Sequence, residues 1–348
     1  MKGMRMSEPN FKATNYGQKL ALQIEQEAAD WRVSTWDIDN PPLATEEQVP
    51  ILDLSDCIEG RDGALDAFVE KLRIAAFGTG FYLLKGHGVP TDLEAAAHKQ
   101  GIRFKELAEQ TKLHYAQNAN GVGYVPLNVR RQPRREKGNM CECIYFKREL
   151  GSRDITWDKN QWPVELGREF RDTLVEYWEA MERLAKRLLP AYARLLGVKD
   201  NFFDDAFEGG LLRSRLGYYP LVPLEDNQYG VSPHVDTTFL TILSRFEQIP
   251  GLRACTVDGH WLTIPNIEGH FAVNAGQLLK QWTNDRVVAT RHYANASGEA
   301  RYAIPFFWHP RADYVMDPAD FPSCVNEENP SKYPPFSYLS SQGPAQGE

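Results

Sequence analysis

The sequence has no apolar run approaching the ~20 residues needed to span a bilayer. Its N-terminus, MKGMRMSEPNF, lacks the hydrophobic core of a secretory signal. No internal repeat is present. These absences point to a soluble, cytoplasmic protein with no membrane partner. An excess of positive charge is missing as well. The formal net charge of −8 argues against a general nucleic-acid binder, whose affinity comes mainly from neutralising phosphates. Cysteine is scarce and scattered, at positions 57, 141, 143, 255 and 324. Cys141 and Cys143 form a CxC pair, too close for an easy disulfide and without the second pair that a zinc site needs. Reduced thiols in a cytosolic protein are the expectation.

What is present is ordinary globular composition. Apolar residues make up 42% and charged residues 25% of 348 positions, enough for a sizeable core. Fifteen Tyr, seventeen Phe and eight Trp favour β-structure. Residues 1–48 form a polar extension, with a helix expected around GQKLALQIEQEAADW (17–31) and a Pro-Pro stop at 41–42. Residues 49–56 (VPILDLSD) and 80–90 (GFYLLKGHGVP) read as strands. Helical spacing predicts helices over 64–77, about 91–115 and 165–197. From about 210 the pattern becomes short β-rich runs separated by Gly, Asn, Asp and Pro, with Asp258-Gly259 as a hairpin turn. The fold class expected is mainly β with helices, a sandwich or barrel preceded by helices and without a linker between independent domains. Regions 49–200 and 205–325 are expected to be the helical/strand part packed on the barrel and the barrel core. The tail 326–348, rich in Pro, Ser and Gly, is expected to fray.

Residues 231–243 read VSPHVDTTFLTIL. In a strand opened by Pro233 and continued by TTFLTIL, His234 and Asp236 at i and i+2 share one face. A single histidine is more often structural than a ligand, and an HxD pair could simply face solvent. His292, in the strand-like RVVATRHYA, changes that weighting. Fifty-five residues (237–291) separate it from Asp236, room for about four strands. Two histidines and one carboxylate on facing strands form a facial triad that suits non-haem Fe(II) and leaves positions open for oxygen and a co-substrate. Zinc fits the same ligands less distinctively.

Arg301 follows His292 across ANASGE. With Ser297-Gly298 as a hairpin turn, His292 pairs with Ala303 and Arg301 shares the barrel-facing side; a three-residue loop reverses that register. A buried arginine needs an anionic partner, and a dicarboxylate gripped by a bidentate guanidinium supplies one. The alternative is an edge-strand arginine in solvent, against which stand the apolar neighbours YAIPFF.

With these residues in order, the chain resembles the 2-oxoglutarate/Fe(II)-dependent dioxygenases of the isopenicillin N synthase-like branch, which includes plant flavonoid and gibberellin oxygenases and ACC oxidase. The resemblance covers nearly the whole chain. It is carried by VPILDLSD, LRIAAFGTGFYLLKGHGVP, NQWP (160–163), RLGYYP (215–220), HVD, VNAGQLLKQWTNDRVVATRHYA, RYAIPFF and ENPSKYPPFSY. It implies a distorted double-stranded β-helix (a jelly roll, cupin-like) with N-terminal and supporting α-helices. It implies His234, Asp236 and His292 as catalytic iron ligands, and Arg301 with Tyr219 as the anchor for the distal carboxylate of 2-oxoglutarate. Three positions depart from the pattern: Ala303 replaces the usual Ser of Arg-x-Ser, Gly217 the usual Asn before the Tyr pair, and Gln277 the usual Asp of Gly-Asp. The lost hydroxyl donor at 303 lowers co-substrate affinity by about tenfold unless it is replaced.

The activity implied is oxidative decarboxylation of 2-oxoglutarate with O2 at Fe(II), giving succinate and carbon dioxide. A ferryl oxidant then hydroxylates, desaturates or cyclises a small-molecule substrate. Asp236 sets the chain apart from related halogenases, where a small residue admits halide. Two alternatives stay open: a 2-oxoglutarate-independent oxidase in which Arg301 holds a substrate carboxylate, and a non-catalytic ligand-binding barrel. The substrate is expected to be an organic acid, amino-acid derivative or secondary metabolite, and the chain a monomer or weak homo-oligomer. The basic run 129–137 (VRRQPRREK) is either a solvated loop or a lid that attracts anions. Phe239, Tyr124, Tyr145, Phe307 and Trp308 are candidate pocket walls.

Overall fold

A computed structural model describes residues 40–131, 136–149, 159–225, 228–295 and 299–341. The helix expected at 17–31 lies outside them. The described chain begins with β1 (Ile51–Asp53), α1 (Ser55–Ile58) and α2 (Ala64–Phe77), then β2 (Phe81–Lys85), α3 (Thr91–Lys105) and α4 (Glu109–Leu113). Next come β3 (Gly123–Val125), β4 (Glu142–Lys147), the long α5 (Gly167–Leu196) and α6 (Asp204–Phe207). The β-rich part supplies β5 (Leu211–Tyr219), β6 (Val231–His234), β7 (Leu240–Ser244), β8 (Leu252–Cys255), β9 (Trp261–Thr263) and β10 (Phe271–Ala275). After α7 (Gln277–Trp282) follow β11 (His292–Ala294), β12 (Arg301–His309) and α8 (Tyr338–Ser341).

Two sheets make a jelly roll. The larger runs β1-β2-β10-β7-β12-β5-β4-β3, antiparallel except for the β1–β2 pair, and the smaller runs β6-β11-β8-β9. Helix α5 covers the outer face of the large sheet because its apolar positions recur at helical spacing. Leu174, Tyr177, Met181, Leu184, Leu188 and Tyr192 are all buried, and full burial of each such side chain contributes about 1.5–3 kcal/mol. The helix ends at Gly197, whose φ of +78° supplies the left-handed cap. The β8–β9 hairpin turns at Asp258-Gly259, as the sequence suggested, with Gly259 at φ +85°. All five cysteines are free thiols.

Several expectations are corrected. β11 and β12 are not a hairpin: β11 pairs with β6 and β8, whereas β12 pairs with β5 and β7. The chain crosses between sheets after Ala294, so His292 faces His234 and Ala303 faces Gly217. The proposed turn residues Ser297 and Gly298 lie outside the described residues. Nor do residues 233–243 form one strand; β6 ends at His234 and β7 starts at Leu240. The described part of the tail, residues 326–341, packs on the fold instead of fraying, because Phe336 is buried and pairs with Met316. Two aromatic anchors in that segment, Phe336 and Tyr338, outweigh its Pro- and Ser-rich composition.

Candidate active site

β6 and β11 are antiparallel neighbours, and their register sets His234 opposite His292. The ring centroids lie 4.4 Å apart. Asp236 is not on the strand but in the connection after it, held by the first turn of α7, where the Gln277 amide donates to the Asp236 carbonyl over 2.8 Å. A side chain at Gly276 would place Cβ 2.2 Å from the Thr238 carbonyl, so only glycine lets α7 approach this closely. The three side chains each offer one donor atom within 4.8 Å of the others.

Each imidazole is fixed through its inner nitrogen. His234 Nδ1 lies 2.9 Å from the Ser232 carbonyl and His292 Nδ1 2.9 Å from the Thr290 carbonyl. Those carbonyls can only accept, so both Nδ1 atoms carry a proton, which leaves both Nε2 atoms as the ring nitrogens that meet a metal. These face Asp236, at 3.4 Å and 3.6 Å from its carboxylate oxygens. Asp236 Oδ2 accepts from Thr241 Oγ1 over 2.7 Å and from Asn274 Nδ2 over 3.0 Å. Burial raises the Asp236 pKa, but the positive charge that the facing imidazoles can carry and the Asn274 amide more than reverse this and hold the carboxylate well below its usual range. Burial pushes His292 down to about 4 despite the Asp236 charge. One anionic oxygen donor and neutral imidazole nitrogen are the states in which these groups ligate a divalent metal, so this donor set fits Fe(II).

Arg301 and Tyr219 are cross-strand partners, both buried. The Arg301 guanidinium carbon lies 4.4 Å from the Tyr219 ring centroid, and Arg301 Nη2 donates to the Asn295 carbonyl. Arg301 therefore reaches the interior from the large sheet, opposite the sheet that carries the histidines, rather than by the expected hairpin. A Cβ on Gly251 would stand 2.4 Å from the Arg301 guanidinium carbon. Two of the departures from the family pattern, Gly217 and Ala303, also face each other across these strands. They pack beside Cys141, whose sulfur is 3.5 Å from where a Gly217 side chain would begin.

A cavity of about 200 Å³ opens beside His234 and Asp236. Of the expected walls, Tyr145 and Phe307 line it. Phe239, Trp308 and Tyr124 belong to the hydrophobic core instead; Phe239 packs on Phe203 and Phe207, and Trp308 lies 4.1 Å from Phe207. Trp308 alternates with the cavity-lining Phe307 along β12 and so faces α6, and Phe239, just before β7, lies against Tyr192 of α5 and Phe207 of α6. Arg301 and Tyr219 do not line the cavity but lie behind Arg215, whose Nη2 donates to the Tyr219 hydroxyl over 3.0 Å. Arg130, from the basic run 129–137, lines it, as do Arg213, Arg215, His309 and Tyr338, which were not singled out from sequence. The alternation in Arg213-Ser214-Arg215 was the available signal, since it turns both arginines to one face.

Two imidazoles and a carboxylate inside a jelly roll define the class of the non-haem iron oxygenases. Comparison with known proteins agrees. Residues 212–310 match the model of the 2OG-Fe(II) oxygenase superfamily, and residues 49–165 match that of the non-haem dioxygenase in morphine synthesis N-terminal region. A 2-oxoglutarate-Fe(II) type oxidoreductase, hxnY, of Emericella nidulans is 31% identical over 305 residues, 83% of this chain and 86% of that protein. Gibberellin 20 oxidase 4 of Arabidopsis thaliana is 32% identical over 302 residues, 84% of this chain and 77% of that protein. The crystal structure of a full-length Neurospora crassa protein in complex with alpha-KG superposes with a TM-score of 0.76 at 22% identity, covering 88% of this chain and 99% of that one. JOX2 in complex with 2OG, Fe and JA superposes at 0.68 with 26% identity, covering 88% and 90%.

The chain belongs to the 2OG-Fe(II) oxygenase superfamily. It is an oxidoreductase that uses Fe(II), 2-oxoglutarate and O2 to oxidise a small molecule. Among the described residues no helix is long and apolar enough to cross a membrane.

Proposed function

We propose that His234, Asp236 and His292 hold the iron, that Arg301 and Tyr219 bind the distal carboxylate of 2-oxoglutarate, and that the substrate is an organic acid, amino-acid derivative or secondary metabolite. The observation that carries the first assignment is the convergence of the three donors within 4.8 Å with both imidazole Nε2 atoms turned inward. When bound, iron and 2-oxoglutarate supply the oxygen activation that no side chain can perform.

The residues themselves orient and shield. Ser232 and Thr290 carbonyls lock the imidazole tautomers, and Thr241 with Asn274 aims the Asp236 carboxylate. Such partners tune metal affinity by about 10–100-fold. Arg301 offers a planar fork suited to a carboxylate, steadied by the Tyr219 ring and the Asn295 carbonyl. Ala303 brings no hydroxyl, so this anchor rests on Arg301, Tyr219 and whatever water the carboxylate retains. Phe81, edge-on to His292 at 5.4 Å, helps keep water from the inner side of the site.

Succinate release coupled to oxygen uptake tests this reading, with wild type, Asp236→Ala and Arg301→Gln compared. Residue roles as assigned give no succinate from Asp236→Ala and a sharply raised 2-oxoglutarate requirement in Arg301→Gln. An unchanged 2-oxoglutarate requirement in Arg301→Gln would move Arg301 to the substrate side.

A further inference from the structure

We propose that the cavity beside the triad binds an acidic substrate, with its oxyanion held between Arg130 and Arg213 against the Tyr145 hydroxyl. This rests on the reading that Arg301 and Tyr219 take the co-substrate.

Three guanidinium groups crowd one aromatic ring. Arg213, Arg130 and Arg215 carry their guanidinium carbons 4.3, 5.2 and 5.9 Å from the Tyr145 ring centroid. Arg130 donates to the Tyr145 hydroxyl, and Arg215 Nη1 does so over 3.2 Å. Among the described residues none of the three forms an ion pair with a carboxylate. The acidic side chain lining the cavity is Asp236, already engaged by Thr241, Asn274 and the imidazoles. Arg213 is bonded to the Gly121 carbonyl at 3.2 Å, while its buried Nε, like that of Arg215, has no hydrogen-bond partner. Like charges gathered in a half-buried pocket repel one another, and a bound anion removes that repulsion while pairing the open N–H groups.

The division of labour follows from placement. Arg215 is tied to Tyr219 and so to the co-substrate side. Arg213 lies further from Tyr219 along β5, opposite Phe307 on β12, and Arg130 reaches the Tyr145 hydroxyl from its loop; Phe307 and Tyr338 line the same cavity and offer aromatic surface for the body of a substrate. An oxyanion fixed there leaves the remainder of the molecule toward His234 and Asp236, which share the cavity. Arg130 comes from the basic run 129–137, so that run contributes at least one residue to the pocket.

The test is anaerobic binding to protein loaded with Fe(II) and 2-oxoglutarate. The probes are straight-chain C2–C8 monocarboxylates, phenylacetate and 3-phenylpropionate, each against its primary amide, together with phenyl phosphate. At least one oxyanion should bind tenfold or more tightly than its neutral counterpart, and the rank of phenyl phosphate against the acids tells which oxyanion is held. Arg213→Gln and Arg130→Gln should each weaken that binding about tenfold or more, with Arg213→Lys recovering part of it. Arg130 lies in a loop and is partly exposed, so Arg130→Gln remains informative where a change at Arg213 disturbs folding. Acids and amides binding alike, acid binding unchanged in both variants, or a weakening of 2-oxoglutarate binding in place of the acid would each overturn the proposal. Succinate formed by wild type from 2-oxoglutarate without any acid reports on the oxygenase chemistry separately, so the two readings fail independently.

Discussion

The Arg301 guanidinium lies against two partners at once: the Tyr219 ring, 4.4 Å from its centroid, and the backbone of Gly251, where a Cβ would come within 2.4 Å of it. One contact comes from the large sheet and the other from the strand edge of the small one, so the arginine spans the barrel. Its position depends on both.

Gly251→Ala is therefore expected to displace the guanidinium rather than the fold, since the clash falls on the far end of a flexible side chain. The 2-oxoglutarate KM should rise about tenfold, equivalent to roughly 1.4 kcal/mol, with a melting temperature close to wild type. Steady-state succinate kinetics and thermal unfolding check this together. A large drop in melting temperature with an unchanged KM would mean that Gly251 serves the backbone and not Arg301.

Thr241→Val removes the 2.7 Å hydrogen bond to Asp236 Oδ2 while keeping the side chain's shape. Iron affinity should fall by about 10–100-fold, the usual effect of losing a partner of a metal ligand. Activity should return at raised Fe(II). A titration in which Thr241→Val takes up Fe(II) as tightly as wild type would show that Asn274 alone orients the carboxylate.

Acid sensitivity of the fold should trace in part to His98. Its imidazole is buried beside Ser244, 2.7 Å from the hydroxyl, with Glu94 accepting from that same hydroxyl. Burial pushes His98 down to about 3, whereas an unfolded histidine titrates near 6.5. The unfolded chain therefore binds the extra proton across that window, so the His98 contribution is full above about pH 6.5 and is lost as pH falls toward 3. Glu94, raised by burial, acts in the opposite sense. His98→Gln should lose less melting temperature than wild type between pH 7 and 5. Parallel losses in the two proteins would assign the sensitivity elsewhere.

Much of this was legible in the chain because it is local. Helix α2 coincides with the apolar spacing of 64–77, and α5 falls within the 165–197 pattern. The spacing of His234, Asp236 and His292 allowed for the four strands β7 to β10 that lie between them. What escaped was long-range. A β-rich run followed by a Ser-Gly turn looks the same whether the next strand returns to its neighbour or crosses to the other sheet, and here it crosses. Aromatic residues such as Phe239 and Trp308 carry no mark of which sheet face they occupy. Arg213 and Arg215 were hidden for a similar reason, since the cross-strand pairing that sets Arg215 opposite Tyr145 arises only in the fold.

Anaerobic Fe(II) titration followed by admission of oxygen, with succinate and oxygen measured together, tests the central claim most directly. Wild type should bind one Fe(II) and form succinate only when 2-oxoglutarate is supplied, and His292→Ala should lose both the iron and the succinate. Iron retained in full by His292→Ala, or oxygen consumed by wild type without 2-oxoglutarate, would contradict it.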